Sequence, residues 1–548
     1  MSILNPPRGR GIVAALCFML LLLVTGIAIA QDAPPPLTDA EMEEATQIYF
    51  DRCAGCHGAL RGGATGPGLL PEATLVRGVP YLHAIMFGGL PGGMPDFGRQ
   101  GFLDAEELDL IARFLLLDPP DPPQISMDQI RESWHVYVDV EDRPTEPQHD
   151  LDWQDFFGVI LRDMGQVAIV DGDSKELVTL LDTGYAIHIL RASQSGRYFQ
   201  SIGRDGRASL IDLWMDPPAV VAEVKPCYDA RSIESSKYTG FEDAYAIVGC
   251  YWPPLFTIHD GETLEPLKMV STAGYERGAG NYVPEARVAA IVASHFFPEW
   301  IVNVKESGQT WLVDYSTLDQ PGQPMPVTMI DTELFLHDGG WANHRYFIVA
   351  ANALDTLVVI DAETRTVAAN VPAGTIPHPG RGANWVHPEY GPVWATGNLG
   401  SPEMTVVGAA PDTHPEHAWQ VVSSVELPFT GTLFNKTHPE SPWVIIDFVM
   451  SPSPVGAATL CAIDKVSLEA ETCWEVPGAQ ELGARMVHIE FNRAGTEFWV
   501  SAWGRMDTPT FIAVYDAVTL EEVARVEGDW MRTPTGKFNA HNTALDIY

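Results

Sequence analysis

The chain is poor in positive charge. Its 548 residues hold 33 Lys and Arg against 72 Asp and Glu, a formal charge of −39. A surface that acidic repels nucleic acid and anionic lipid, so broad polyanion binding is excluded. It either serves solubility or attracts a basic partner protein. Long apolar runs are missing after the first thirty residues, and no later segment reads as a membrane span. Cysteine is scarce, with seven in all, and outside one short motif the spacing does not suit zinc. No Walker loop, dinucleotide fingerprint or serine nucleophile elbow stands out, and "GRGAN" is too short to cradle a phosphate. What is present, 46% apolar residues over this length, is the composition of a soluble globular protein with a large core.

The start, "MSILNPPRGRGIVAALCFMLLLLVTGIAIAQDAPP", places Arg8 and Arg10 before an apolar run and Ala28-Ile29-Ala30 after it. That is the pattern of a secretory signal over residues 1–30, cleaved near Ala30. The run is about 16 residues, short of the roughly 20 that span a bilayer, so an uncleaved anchor is the weaker reading. The expectation is an exported, periplasmic protein with no stable membrane insertion. Cys17 leaves with the signal. Cys227, Cys250, Cys461 and Cys473 remain as an even set in an oxidising compartment. Cys461 and Cys473 flank one predicted hairpin, and both a bridge and buried free thiols are open for them.

"DRCAGCHGAL" (51–60) carries Cys53, Cys56 and His57 in the Cys-x-x-Cys-His pattern of covalent c-type haem attachment. Around it, residues 31–117 read as a small all-α domain resembling cytochrome c. "TDAEMEEATQIYFDRC" has helical spacing, with Thr38 or Asp39 able to cap it, and "DAEELDLIARFLLL" (104–117) is a second amphipathic helix. His57 supplies one axial nitrogen. Met94, in the loop "LPGGMPDFG", is the expected sixth ligand, because a thioether raises the haem potential and suits electron transfer. Met86 and His83 are rivals in an apolar, helical stretch where core packing is the better account. "LDPPDPPQ" ends the helix and opens a proline-rich linker over 118–130.

From about residue 131 to 548 the chain turns to short apolar runs broken by Gly, Pro, Asn and Asp. One unit recurs: an apolar strand, Asp, a short polar turn, a second strand. It is marked at Asp171, Asp212, Asp260, Asp314, Asp361, Gly408, Asp464 and Asp516. A spacing of about 40 to 56 residues is that of one four-stranded blade. The fold class expected is mainly β with a small α domain: an N-terminal cytochrome c domain, then an eight-bladed β-propeller. Two β-sandwiches would not explain eight copies of one hairpin.

A propeller gathers distant residues around its axis. His188 in "DTGYAIHILR", His337 in "FLHDGGW" and His378 in "IPHPGRGANW" stand in Gly- or Gly/Pro-rich settings on different blades. Arg162, Arg204, Arg231 and Arg381 keep similar company. Singly each is a turn or salt-bridge residue; together they suit carboxylates.

With signal, haem motif, proline linker and eight repeats in that order, the chain resembles cytochrome cd1 nitrite reductases over about residues 40 to 548. The strings "RCAGCHG", "LRGGATG", "DTGYAIHI", "IDLWM", "YWPP", "RVAAIVASH", "HPGRGAN", "GPVWAT" and "TPTGKFN" carry the likeness. The resemblance implies haem c on Cys53, Cys56 and His57, and a non-covalent, carboxylate-rich haem d1 in the ring. It implies His188 as the proximal iron ligand and His337 and His378 as a distal pair giving protons to nitrite. Arg162, Arg204, Arg231, Arg381 and Tyr251 match cofactor-binding positions. A homodimer fed by a small c-type cytochrome or cupredoxin is implied as well. Two departures stand out. The family has a longer arm with a tyrosine before the haem domain, whereas "QDAPPPLTD" holds none. In "RMVHIEF", His488 stands where reductases tend to have glutamine, as in a related exported dehydrogenase of a haem d1 precursor. That maturation role is the runner-up, and a non-catalytic cytochrome–propeller the third reading.

Overall fold

The computed structural model describes residues 36–547 save 65, 91–93, 100, 279 and 321. The signal expected at 1–30 lies outside them. Among the described residues no helix is long and apolar enough to cross a membrane.

The front end is helical. Asp39–Arg52 starts in a capping box, in which Thr38 accepts from the Glu41 amide and the Glu41 carboxylate accepts in return, and it ends by delivering Cys53. Gly78–Gly88 and Ala105–Phe114 pack with it, the latter capped by Asp104 and Glu107. Their shared core holds Tyr49, Phe50, Leu82, Met86, Leu108, Ile111 and Phe114, and it also takes in Trp252 from the β region. Arg61 lies inside this core, donating to the carbonyls of Phe114 and Leu117 and covering the Phe114 ring at 4.0 Å. The stretch read as a linker is only partly one. Its end forms the helix Met127–Glu132, because Ser126 and Gln129 make a third capping box.

Eight antiparallel blades of four ring strands follow, seven of them with their strands in sequence order from the axis outward. The ring closes by a pairing of its two ends: the last strand, Pro534–Asn539, lies innermost beside Phe157–Leu161. His135–Val136 adds a fifth strand at the outer edge of the second sheet. Every marker read from the sequence falls at the turn between the outer two strands of one blade.

The marker aspartate has a physical task. Asp260 Oδ1 accepts from the amides of Glu262 and Thr263, and Asp464 and Asp516 do the same two and three residues on. Such a side chain replaces backbone partners that a tight turn leaves unpaired. The fourth residue after the marker (Lys175, Leu264, Arg365, Leu468, Leu520) then takes a positive φ and bonds back to the marker carbonyl. At Gly408 no such carboxylate exists, and the connection is longer.

Both cysteine pairs left open by the sequence are bridged. Cys461 and Cys473 are cross-strand partners within one blade, and Cys227 joins Cys250.

Candidate active site

The attachment motif sits where the first helix ends. Neither Cys53 nor Cys56 is in a disulfide, and Cys53 is buried. His57 Nδ1 lies 2.8 Å from the Pro67 carbonyl oxygen. A carbonyl only accepts, so Nδ1 carries the hydrogen and Nε2 keeps its lone pair for a metal. Burial holds the imidazole below its ordinary value, which favours that neutral form. The neighbouring chain must pass close: a Cβ at Gly66 would meet the His57 ring at 2.8 Å. Met94 is half-buried against the same core, its carbonyl accepting from Leu90. Met86 faces the core and His83 is half-buried on the same helix.

The ring grips this motif directly. Glu285 accepts from the amides of Ala59 and Leu60, each at 2.9 Å. Arg204 reaches up to the motif: Nη1 lies 3.8 Å from Cys56 Sγ and Nη2 lies 3.4 Å from Asp229. A side chain at Gly55 would collide with it. Arg52 stacks over Tyr185 at 3.4 Å, and Trp252 Nε1 donates to the Pro123 carbonyl.

Inside the ring, His188 precedes the inner strand Ile189–Ala192, and its amide donates to Ile202. It is exposed to solvent, and the charges of Arg231, Arg204, Asp338 and Arg162 reach it. Enclosure by the protein, then Arg231 and Arg204, hold it well below an ordinary histidine, hence neutral and able to ligate.

His337 and His378 meet. Their ring centroids are 5.0 Å apart. Asp338 stands between them, Oδ1 at 3.1 Å from His337 Nδ1 and Oδ2 at 3.5 Å from His378 Nε2. One ligand atom from each of His337, Asp338 and His378 lies within 4.8 Å of the other two. His378 Nδ1 lies 2.9 Å from the Leu433 carbonyl. A β-bulge between Leu336 and Gly339 explains the geometry. Strand neighbours normally point to opposite faces, and an extra residue breaks that alternation. Burial lowers His337 to about 4, against the pull of Asp338. Burial by itself would raise the Asp338 carboxyl, but His337, His378 and His188 hold it far below the carboxylate range.

Tyr251 is buried under two guanidinium groups, Arg231 at 4.5 Å and Arg287 at 4.9 Å. Burial raises its phenol, but Lys305, Arg231 and Arg287 outweigh that and leave it below the usual range. Arg162 pairs with Asp163. Arg381 donates to Glu234, which also draws Arg191 and Lys237, and Lys237 pairs with Asp546. The structure thus brings His188, Arg162, Arg204, Arg231, His337 and His378 to one region, while Arg381 is engaged by the buried Glu234.

Asp338, Glu234, Lys237 and Glu285 were not read from the sequence. Glu234 lies on the inner strand Asp229–Ser235, itself rich in polar residues, and Lys237 follows just past its end. His488 is the extra residue of a second inner-strand bulge, at φ 57°. Its ring touches Phe434 at 4.8 Å, and Phe434 in turn lies 6.2 Å from His378.

Comparison with known proteins decides the family. The Cytochrome D1 heme domain model matches residues 151–543, and that of the cbb3-type cytochrome c oxidase subunit III matches 40–115. Nitrite reductase of Stutzerimonas stutzeri is 42% identical, covering 98% of this chain and 99% of that one. The chain belongs to the cytochrome cd1 family. Dihydro-heme d1 dehydrogenase of Pseudomonas aeruginosa is 26% identical over 95% of this chain and 96% of that one. A solved structure of dihydro-heme d1 dehydrogenase in complex with DHE superimposes with a TM-score of 0.70 at 26% identity, covering 91% of this chain and all of that one.

The cofactors of this cytochrome cd1 are therefore haem c and haem d1. The residues present fit both. Two cysteines outside any disulfide and a histidine whose Nε2 keeps its lone pair suit covalent haem. In the ring, buried guanidinium nitrogens of Arg191, Arg204 and Arg231 lack a partner. Buried donors left orphaned are costly unless a ligand satisfies them, and a carboxylate-bearing macrocycle would do so.

Proposed function

We propose that this cytochrome cd1 is a periplasmic, dissimilatory nitrite reductase of denitrification: nitrite plus one electron and two protons gives nitric oxide and water. The observation that carries the reading is the paired imidazoles of His337 and His378, 5.0 Å apart and sharing one carboxylate in the ring. Haem d1, when bound, supplies the iron that takes nitrite and passes it the electron. Cys53, Cys56, His57 and Met94 would hold haem c, which would supply electron entry. His188 would hold the haem d1 iron through a ring nitrogen, and Arg162, Arg204, Arg231, Arg381 and Tyr251 would hold that cofactor. His337 and His378 hand over protons at the departing nitrite oxygen, a role in which imidazole is a common general acid. The cationic wall of Arg231, Arg287 and Lys305 draws a small anion into a protein of charge −39. A basic c-type cytochrome or cupredoxin fits that charge as donor, and the working unit is a homodimer.

A second reading, oxidation of a dihydro-haem d1 precursor, is favoured by His488 beside the same site. One experiment separates the two. The reduced protein carrying haem d1 is given nitrite, and cofactor-free protein is given the precursor. Nitric oxide release supports the first reading. Precursor oxidation alone supports the second, and neither leaves a non-catalytic electron-transfer protein. His378→Ala should lower nitrite turnover by about 10²- to 10⁴-fold with cofactor content unchanged, whereas His188→Ala should loosen the cofactor or alter its spectrum. Unchanged turnover in both His337→Ala and His378→Ala overturns their assignment.

A further inference from the structure

We propose that Asp338 is a positioning residue for the reduction of nitrite, one carboxylate oxygen serving each distal imidazole; this deepens the reading above and rests on it. The bulge between Leu336 and Gly339 turns Asp338 to the same side as His337. Oδ1 then stands 3.1 Å from His337 Nδ1 and Oδ2 stands 3.5 Å from His378 Nε2. His378 Nδ1 is already committed to the Leu433 carbonyl, and the Leu433 amide is itself held by buried Asp447. Both nitrogens of His378 thus face groups that only accept, an arrangement that suits the ring when it carries two hydrogens. His337 Nδ1 is buried and makes no formed hydrogen bond, so the nearby carboxylate favours the Nδ1–H tautomer through its charge and leaves Nε2 to exchange a proton with substrate. A carboxylate behind an imidazole fixes tautomer and orientation in this way without itself taking the proton.

The groups around this trio are few. Lys305 and His378 bear on His337, while His337, His378 and His188 bear on Asp338. The carboxyl of Asp447 feels His378 from the next blade. Lys305 and His188 do not bridge the two rings, and Asp338 is the group that touches both.

Asp338→Asn keeps the size and removes the charge. In the holoenzyme it should lower kcat for nitrite about tenfold or more, with a smaller change in KM, and move the pH optimum downward, because the protonated ring has lost its anion. Asp338→Glu should restore part of the rate. A second readout avoids the loaded enzyme: ring nitrogen NMR of His337 in protein holding haem c alone. There the wild type should show the Nδ1–H tautomer, and Asp338→Ala should lose it. An Asp338→Asn enzyme with unchanged kcat and pH profile, or a His337 tautomer indifferent to Asp338→Ala, overturns the proposal. If the wild type reduces no nitrite, the reaction reading fails on its own, and the tautomer still decides whether Asp338 orients the pair.

Discussion

The helical front end and the β ring solve the same problem, holding an iron cofactor, by opposite means. The front end concentrates its chemistry in one short stretch, Cys53 to His57, with a single small core around it. Apolar side chains remain exposed between residues 70 and 90: Leu75, Val76, Tyr81, Phe87 and Leu90. The ring divides its core into one cluster after another between blades. Its chemistry comes from single residues on separate blades, set by bulges on the inner strands. A covalent cofactor can complete a small core that protein alone does not fill. A non-covalent one needs a cavity that persists in its absence.

That contrast breaks most sharply at the attachment motif. Changing Cys53 and Cys56 to Ser should abolish covalent haem and reduce nitrite turnover with a protein electron donor to background. The front-end helices should lose cooperative melting, while the strand signal and both disulfides of the ring persist. Haem staining after denaturing electrophoresis and circular dichroism check the two halves separately. A front end that melts unchanged without haem would show that its protein core suffices, and the contrast would go.

Legibility in the sequence follows the same divide. The front-end motif is contiguous, so Cys53, Cys56 and His57 are visible as a string. The blades are visible because the turn aspartate does a local task that repeats, from Asp171 to Asp516, and even the Gly408 hairpin keeps the strand pattern. Inner-strand bulges are not visible, since one extra residue changes neither composition nor periodicity over so short a run. Asp338 illustrates this: it follows His337 directly, and strand alternation would send it to the other face. Glu285 was hidden for a different reason. It serves amides more than two hundred residues away in the chain, and no local pattern reports such a partner. Residues 118–130 show a third cause, in which prolines announce a linker while a cap at Ser126, four residues from its end, starts a helix.

The two regions meet at Glu285, and a milder change there sharpens the contrast. Glu285→Gln keeps one acceptor for the Ala59 and Leu60 amides but loses the charge and the second oxygen. A hydrogen bond to a charged group contributes about 1.5–3 kcal/mol, so the docking of the front end should weaken by about that much. Limited proteolysis in the 118–126 segment should quicken, and the melting of the ring should not move. Equal destabilisation of both regions would mean they unfold as one unit.

The smallest effect lies wholly within the ring and asks whether its blades are alike. Asp361 binds Arg345 through both oxygens, at 2.8 and 2.6 Å, and caps its turn by accepting from Glu363 and Thr364. Burial raises its carboxyl, yet the bonds from Arg345 and Thr364 win and bring it down to about 2. A carboxyl depressed in the folded state stabilises the fold above its ordinary value near 3.8, and that stabilisation drains as pH falls toward 2. Hydrogen exchange between pH 4 and 2 should therefore show the hairpin at Asp361 loosening first. The hairpin at Gly408 has no turn carboxylate at the equivalent place and should keep its protection over the same interval. Asp361→Asn should flatten the pH dependence of its own hairpin and leave the other untouched. Parallel loosening of both hairpins would trace acid sensitivity to the charge of the whole ring and not to its turns.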